Sequence, residues 1–286
     1  MPGETRRAVF AQPAWLRSVP TDRRLPEGAR VVFTGCGTSF HAAQTGGRAL
    51  QALEAVLAPP TDADLLVCIS HEGSSALTDE AARAFPGPKW LVTGRPDSPL
   101  AELADEVIVC TPELERSMCH TASYTCAVAT IAALQGEDVS WLPGAVEEAL
   151  AFSEPVPAQS KILVAGAGRD WPTAQEAVLK LREGAWASAG AHQTEQLLHG
   201  HLAAIDETVR AYVLEGEARA AERAHDAVAA LRELGCGTTL VPTRHPAVDI
   251  VRFQLLALAL ADARGIDPDR IHRDDERWKR ARAAYL

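Results

Sequence analysis

The sequence predicts an α/β protein of two similar lobes, each a three-layer αβα sandwich on a mainly parallel sheet. Three observations predict it. Short β-rich runs alternate with longer stretches of helical periodicity, the pattern of a parallel sheet covered by helices on both faces. One strand–turn–helix unit occurs twice. A segment rich in Pro, Gly and Ser lies between the two copies.

The first set of strand runs is RVVFTG (30–35), DLLVCIS (64–70), KWLVTG (89–94) and EVIVC (106–110). The second is KILVAGAG (161–168), VRAYVL (209–214) and TTLVPT (238–243). Each is short, apolar and bounded by turn residues. Helical periodicity runs through 40–57, 117–134, 172–187, 218–234 and 248–264. VVFTGCGTSFHAAQTGGRAL lies over ILVAGAGRDWPTAQEAVLKL without a gap, so that Gly35 meets Gly166, Gly37 meets Gly168 and Ala43 meets Ala174. A repeat of this kind implies two copies of one supersecondary unit. The expected division is a helical lead (1–28), a first lobe (29–142), a linker (143–160), a second lobe (161–264) and a tail (265–286). Two apposed copies leave a crevice at the carboxyl ends of the strands, where open α/β sheets bind ligands.

Composition narrows the class. The 286 residues are 47% apolar, enough for a full core, and carry a formal charge of -10. An acidic chain lacks the basic stripe of a phosphate-backbone binder, and with 5% aromatics it has few platforms for stacking bases. No nucleic-acid partner is expected. No apolar run approaches the roughly 20 residues of a membrane span, so no membrane partner is expected either. The opening MPGETRRAVFAQPAW has no apolar core of a signal peptide, and the expected compartment is the cytoplasm. The six cysteines, Cys36, Cys68, Cys110, Cys119, Cys126 and Cys236, form no C-x-x-C pair and read as small buried apolar side chains. No metal and no cofactor is expected.

Two loops suit an anion or a sugar hydroxyl. The first is Gly35-Cys36-Gly37-Thr38-Ser39, running into a helix. Gly37 lets the backbone turn, the helix N-terminus offers free N–H groups, and Thr38 and Ser39 add hydroxyls. A dinucleotide reading is weaker, because Phe40 stands where the third glycine of G-x-G-x-x-G belongs. Ser39 as a plain helix N-cap is the alternative. The second loop, Ser70-His71-Glu72-Gly73-Ser74-Ser75, follows a buried strand with the same logic. Its counterpart in the second copy, 214–218, has lost the hydroxyls, which leaves one anion-type site in the first lobe. Glu183 lies three residues after Lys180 on a helix, where periodicity alone reads it as a solvated face. His199 and His201 stand two apart, but no acidic or cysteine ligand has metal spacing nearby.

These loops, in this order, resemble the isomerase domain of glucosamine-6-phosphate synthase and its SIS (sugar isomerase) relatives. The resemblance runs through VFAQPAWLRSV, GCGTSF, CISHEGSS, ERSMCHTASYT, VLKLREGAW and LLHGHLAAID, nearly the whole chain. It implies a double-SIS fold. It includes no counterpart of the synthase's glutaminase domain, so ammonia transfer from glutamine is not expected. It places Ser39, Ser70, His71 and Ser75 where the family holds the sugar's phosphate, and Met118 and His120 in the segment lining the substrate. Glu183 falls on the catalytic glutamate and Lys180 on a lysine beside it. His199 falls on a histidine that assists ring opening and that relatives supply from the partner subunit, which implies a homodimer. The tail is implied to close the site.

The residue types fit an enediol reaction. One carboxylate lying over two adjacent carbons removes and returns the migrating proton, and an imidazole suits the ring-oxygen proton. On a 2-amino sugar the same chemistry leads to deamination. The chain departs from the family at three places. Glu72 replaces a phosphate-binding serine, and at roughly 4 Å it would repel one phosphate charge by about 4 kcal/mol at an effective dielectric near 20. Glu72 therefore points away, pairs with an arginine (Arg95 and Arg116 are the candidates), accepts sugar hydroxyls, or meets a ligand without that phosphate. The tail lacks the family's ring-opening lysine, and His272 and Lys279 are the nearest substitutes. Gln196 replaces a glutamate, and His201 a proline. The expectation is an enzyme, a sugar or amino-sugar (phosphate) isomerase or deaminase. The alternative is a non-catalytic sugar-derivative sensor.

Overall fold

Val, Leu and Ile dominate the runs that become central strands, and their side chains are buried on both faces, as helix-covered parallel strands require. The computed structural model describes residues 3–285; the outermost residues of the expected lead and tail, 1–2 and 286, lie outside it. The first half runs α1 (Glu4–Leu16), β1 (Val31–Gly35), α2 (Thr38–Thr45), β2 (Ala49–Gln51), α3 (Ala52–Leu57), β3 (Leu65–Ile69), α4 (Ala76–Ala84), β4 (Lys89–Thr93), β5 (Glu106–Val109) and α5 (Ala122–Leu134). After α6 (Leu142–Leu150) the second half runs β6 (Lys161–Gly166), α7 (Trp171–Ala185), β7 (Ser188–Gln193), α8 (Thr194–Leu198), β8 (Val209–Leu214), α9 (Arg219–Glu233), β9 (Gly237–Val241), α10 (Pro246–Arg264) and α11 (Glu276–Arg282).

All pairings are parallel. The sheets have the orders β2-β1-β3-β4-β5 and β7-β6-β8-β9. The predicted α/β class with two parallel sheets is thus what the chain forms. In each sheet the chain steps first to one side and then to the other, so the strand order reverses between β1 and β3, and again between β6 and β8. The duplicated turn is duplicated in backbone as well: Gly37 and Gly168 both sit at φ +54. Gly35 and Gly166 leave no room for a side chain, since a Cβ would lie 2.9 Å from the Ser39 carbonyl carbon and 2.7 Å from the Asp170 oxygen.

Several elements differ from the sequence expectation. The stretch 40–57 is not one helix. Gly46 packs its bare Cα against the Phe33 ring, where a Cβ would lie 2.6 Å away, and Gly47 takes φ +107. The chain then turns back as edge strand β2 before α3 begins. β7, Ser-Ala-Gly-Ala-His-Gln, is an edge strand with no β-branched residue and so carried no β signal. The expected linker opens with α6, which packs on α1 and α10. Its later part is pinned by Glu154, whose buried carboxylate accepts from Arg252 at 2.9 Å and from the Tyr212 hydroxyl at 3.1 Å.

One apolar core runs through both lobes. It joins Phe33 and Ile108 of the first sheet, all-buried α5, and Ile162 and Tyr212 of the second sheet. Helices α2, α5, α7 and α10 lie against one another between the sheets. Among the described residues, no helix is long and apolar enough to cross a membrane.

The two glycines of the second turn should behave differently. Gly166→Ala forces the backbone at Asp170 to shift and should cost about 2 kcal/mol, whereas Gly168→Ala meets open space and should lose only about 1 kcal/mol to its left-handed backbone. Thermal melts of both variants check this order; equal Tm values would contradict it.

Candidate functional site

The loops after β1 and β3 meet at the strand-order reversal of the first sheet, and a cleft of about 580 Å³ opens there. It gathers Gly37, Thr38 and Ser39 from the first loop and Ser70, His71, Glu72 and Ser75 from the second. Met118 and His120 line it from the segment before α5, and Glu183 from α7. Ser39 is not the cap of α2: the helix starts at Thr38 with Gly37 as N-cap, and no side chain caps it. Ser70 and Ser75 hydroxyls lie 3.3 Å apart.

Glu176, Lys180 and Glu183 share one face of α7, spaced i, i+4, i+7. Lys180 is fully buried and donates to the Glu183 carboxylate at 2.7 Å, to the Thr38 hydroxyl at 3.1 Å and to the His120 carbonyl at 3.2 Å. Its ammonium is 3.4 Å from the Glu176 carboxylate. Burial works against that charge, yet Glu176, aided by Cys119 and Glu183, outweighs burial and holds the ammonium above the ordinary lysine value. Glu176, which the sequence reading missed, is wholly buried; it accepts from Thr38 at 3.2 Å and faces His41 Nδ1 at 2.7 Å. Its signal was available as the helical spacing to Lys180 and Glu183. Glu183 keeps 28% of its side chain exposed and lines the cleft.

His71 is fixed from behind. Its Nε2 accepts the Glu115 backbone N–H at 2.9 Å, which puts the ring proton on Nδ1, a buried atom with no protein partner. Glu115 is itself anchored, for its buried carboxylate accepts from the N–H groups of Thr121 and Ser123 at 2.7 Å each and so caps α5. That explains why the helix expected from residue 117 begins only at Ala122. His120 packs edge-on to His71 at 5.4 Å and is held at φ +23. Burial, reinforced by His120, lowers the His71 pKa from 6.5 to about 4.

Other expected residues lie elsewhere. His199 is largely exposed on the second lobe, paired with Glu195 at 2.7 Å, outside the cleft of its own chain. His201 packs against His192, ring centroids 4.6 Å apart and the planes tilted by 55°. His272 does not line the cleft; its ring is sandwiched between Trp186 at 3.6 Å and Trp278 at 4.2 Å. Its neighbours Ile271 and Arg273 do line the cleft. Lys279 pairs with Glu276 at 2.7 Å on α11. Neither suggested partner of Glu72 reaches it: Arg95 pairs with Asp97 at 3.3 Å, and Arg116 lines a separate groove beside α1. Glu72 is exposed and has no ion pair among the described residues. The matching position in the second lobe is a smaller cavity of about 230 Å³. Asp170 stands there in the place of Ser39, its pKa raised chiefly by burial, and burial pushes Asp249 up to about 7.

No protein-family model matches the chain. The isomerizing glutamine–fructose-6-phosphate aminotransferase of Xanthomonas campestris is 26% identical over 90% of this chain and 53% of that protein. The chain spans about half the length of the curated relatives it matches. Among solved structures, glucosamine-6-phosphate deaminase of Thermotoga maritima superposes with a TM-score of 0.78 at 18% identity, covering 94% of this chain and 97% of that one. The tagatose-6-phosphate ketose/aldose isomerase of Escherichia coli superposes with a TM-score of 0.76 at 20% identity, covering 93% and 95%. The chain therefore has the double-SIS fold. Its sequence is similar to that of the aminotransferase, which bears out the resemblance read from the motifs.

A neutral His71 has a stability consequence. The folded ring binds fewer protons than the unfolded one between pH 6.5 and about 4, so its contribution to stability is present above 6.5 and is lost as the pH falls through that window. Replacing it in His71→Asn should flatten the acid limb of the stability profile relative to the unmodified protein. Urea melts at stepped pH check this, and an unchanged slope would count against a buried neutral ring.

Proposed function

We propose that the protein is a sugar-phosphate aldose–ketose isomerase or amino-sugar-phosphate deaminase, working through an enediol-type intermediate in the first-lobe cleft. The observation that carries this is the Glu183 carboxylate, held by a buried ammonium at the wall of a cleft rich in hydroxyls. Lys180 fixes one carboxylate oxygen, and the other is left to face the sugar. Glu183 takes the proton from one carbon and returns it to its neighbour, so no cofactor is required. Ser39, Ser70 and Ser75 serve as hydroxyl donors, the Thr38 hydroxyl being engaged by Glu176 and Lys180, and Gly37 brings the backbone close. Met118 and His120 shape the wall. His71, held by the Glu115 N–H on one side, presents its ring to the wall. The names of the similar proteins, an isomerizing aminotransferase, a deaminase and a ketose/aldose isomerase, support the class.

His199 is exposed and outside its own cleft, which supports its serving the cleft of a second copy in a homodimer. Unpaired Glu72 in the phosphate loop favours one other reading, a sugar-derivative sensor without turnover.

Proton exchange separates the two. In deuterated water the protein should wash deuterium into the carbon beside the carbonyl of a hexose 6-phosphate or of glucosamine 6-phosphate, and Glu183→Gln should slow this by about 10²-fold or more. Tight binding of these sugars with no exchange would leave the sensor. Mixing inactive Glu183→Gln and His199→Ala chains should restore part of the activity if sites are shared; no recovery would mean that each chain works alone.

A further inference from the structure

The cleft has an electrostatic gap that its loops do not fill. The phosphate loop carries Glu72, exposed and unpaired among the described residues, and α7 contributes the second carboxylate, Glu183. Lys180 is buried beneath Glu183 and is not part of the lining, while His71 is held neutral from behind. Hydroxyls and the uncapped N–H groups of α2 are neutral partners for a phosphate that must sit beside a carboxylate. Among the residues that line the cleft, Arg273 is the only lysine or arginine. It comes from the tail and not from either loop. Its guanidinium has no ion-pair partner among the described residues, although most other arginines of the chain have one.

The tail is built to hold that residue. Asp269 accepts from the N–H groups of Glu4 and Thr5 at 2.7 Å each, which ties the tail to the start of α1. Three residues on, His272 is clamped between Trp186 and Trp278, with near-parallel rings at 21° and 19°. Trp186 caps α7 in a left-handed conformation, three residues after Glu183, so the clamp fixes the tail to the helix that carries the carboxylate. Ile271 and His272 themselves take positive φ values of 35° and 56°. β-Branched Ile271 in particular avoids that region, and it stays there only because its surroundings insist. The effect of this local strain is to turn residues 271 and 273 toward the cleft on either side of the clamped ring.

We infer that Arg273 binds the substrate's phosphate, offsetting Glu72 and setting the preference for phosphorylated over plain sugars. The inference rests on the sugar-phosphate reading above. A planar guanidinium makes paired N–H bonds to a phosphate, and a lysine in its place supplies the charge without the fork.

The test uses the full chain and measures binding by calorimetry, with hexose 6-phosphates, glucosamine 6-phosphate, the matching free sugars and a hexuronic acid as probes. Arg273→Gln should weaken binding of the phosphorylated sugars about 10- to 100-fold and leave the free sugars within about twofold. Arg273→Lys should fall between. Glu72→Ser added to Arg273→Gln should recover part of the loss. Melting of each unliganded variant shows that the fold survives, as expected for an exposed side chain. If phosphorylated sugars bind the unmodified protein and Arg273→Gln equally, Arg273 does not read the phosphate, and the enzyme reading stands. If Arg273→Gln loses phosphorylated sugars but the unmodified protein exchanges no proton, the enzyme reading fails and the role of Arg273 stands. If the unmodified protein binds only uronic acid or free sugars, or none of the probes, both fail.

Discussion

One buried ammonium organises the molecule. Lys180 comes from the second lobe, yet its hydrogen bonds go to Thr38 at the start of α2 and to the His120 carbonyl before α5, both in the first. Burying it is tolerable because Glu176 and Glu183 flank it and carbonyl oxygens take its remaining protons. The same bonds that neutralise it decide where the two lobes meet, how the strained His120 loop lies, and which way Glu183 faces. The cleft is therefore a consequence of how the lobes are joined and not a property of either.

The duplication kept backbone and changed side chains. Gly37 and Gly168 share one φ value, and Gly35 and Gly166 are both hemmed in by the first turn of the following helix. Where the first copy has Ser39 the second has Asp170, buried against Thr243. Asp170 and Asp249 stand there, their pKa values raised by burial, so carboxyl groups occupy a wall that hydroxyls form in the first copy. Two equal folds thus yield one hydroxyl-rich cleft.

Much of this was legible in the sequence, for physical reasons. The central strands are continuous apolar runs, and the repeat aligned without gaps. Edge strands β2 and β7 were not legible, because half-exposed strands of Ala, Gly and Gln have no distinctive pattern. The loops that line the cleft were visible as glycines and hydroxyls before helices. Glu115 was not, because a buried carboxylate in a loop is recognisable only by what it touches, here the N-terminus of α5; Glu176 offered only its helical spacing to Lys180 and Glu183, and its burial shows in its contacts with His41 and Lys180. Arg273 was hidden for a similar reason. In the sequence it is one arginine among several in a charged tail, and the clamp on His272 that turns it toward the cleft joins residues far apart in the chain.

That clamp also bears on timing. A tail already seated between two indoles has lost its freedom at the moment of folding, so an arriving molecule meets a finished wall and gives up little binding energy to order it. Departure is another matter. Moving residues 271–273 away from the cleft means unstacking His272 from Trp186 and Trp278. For a molecule whose departure needs that movement, the aromatic sandwich would lengthen the stay more than it slows the arrival.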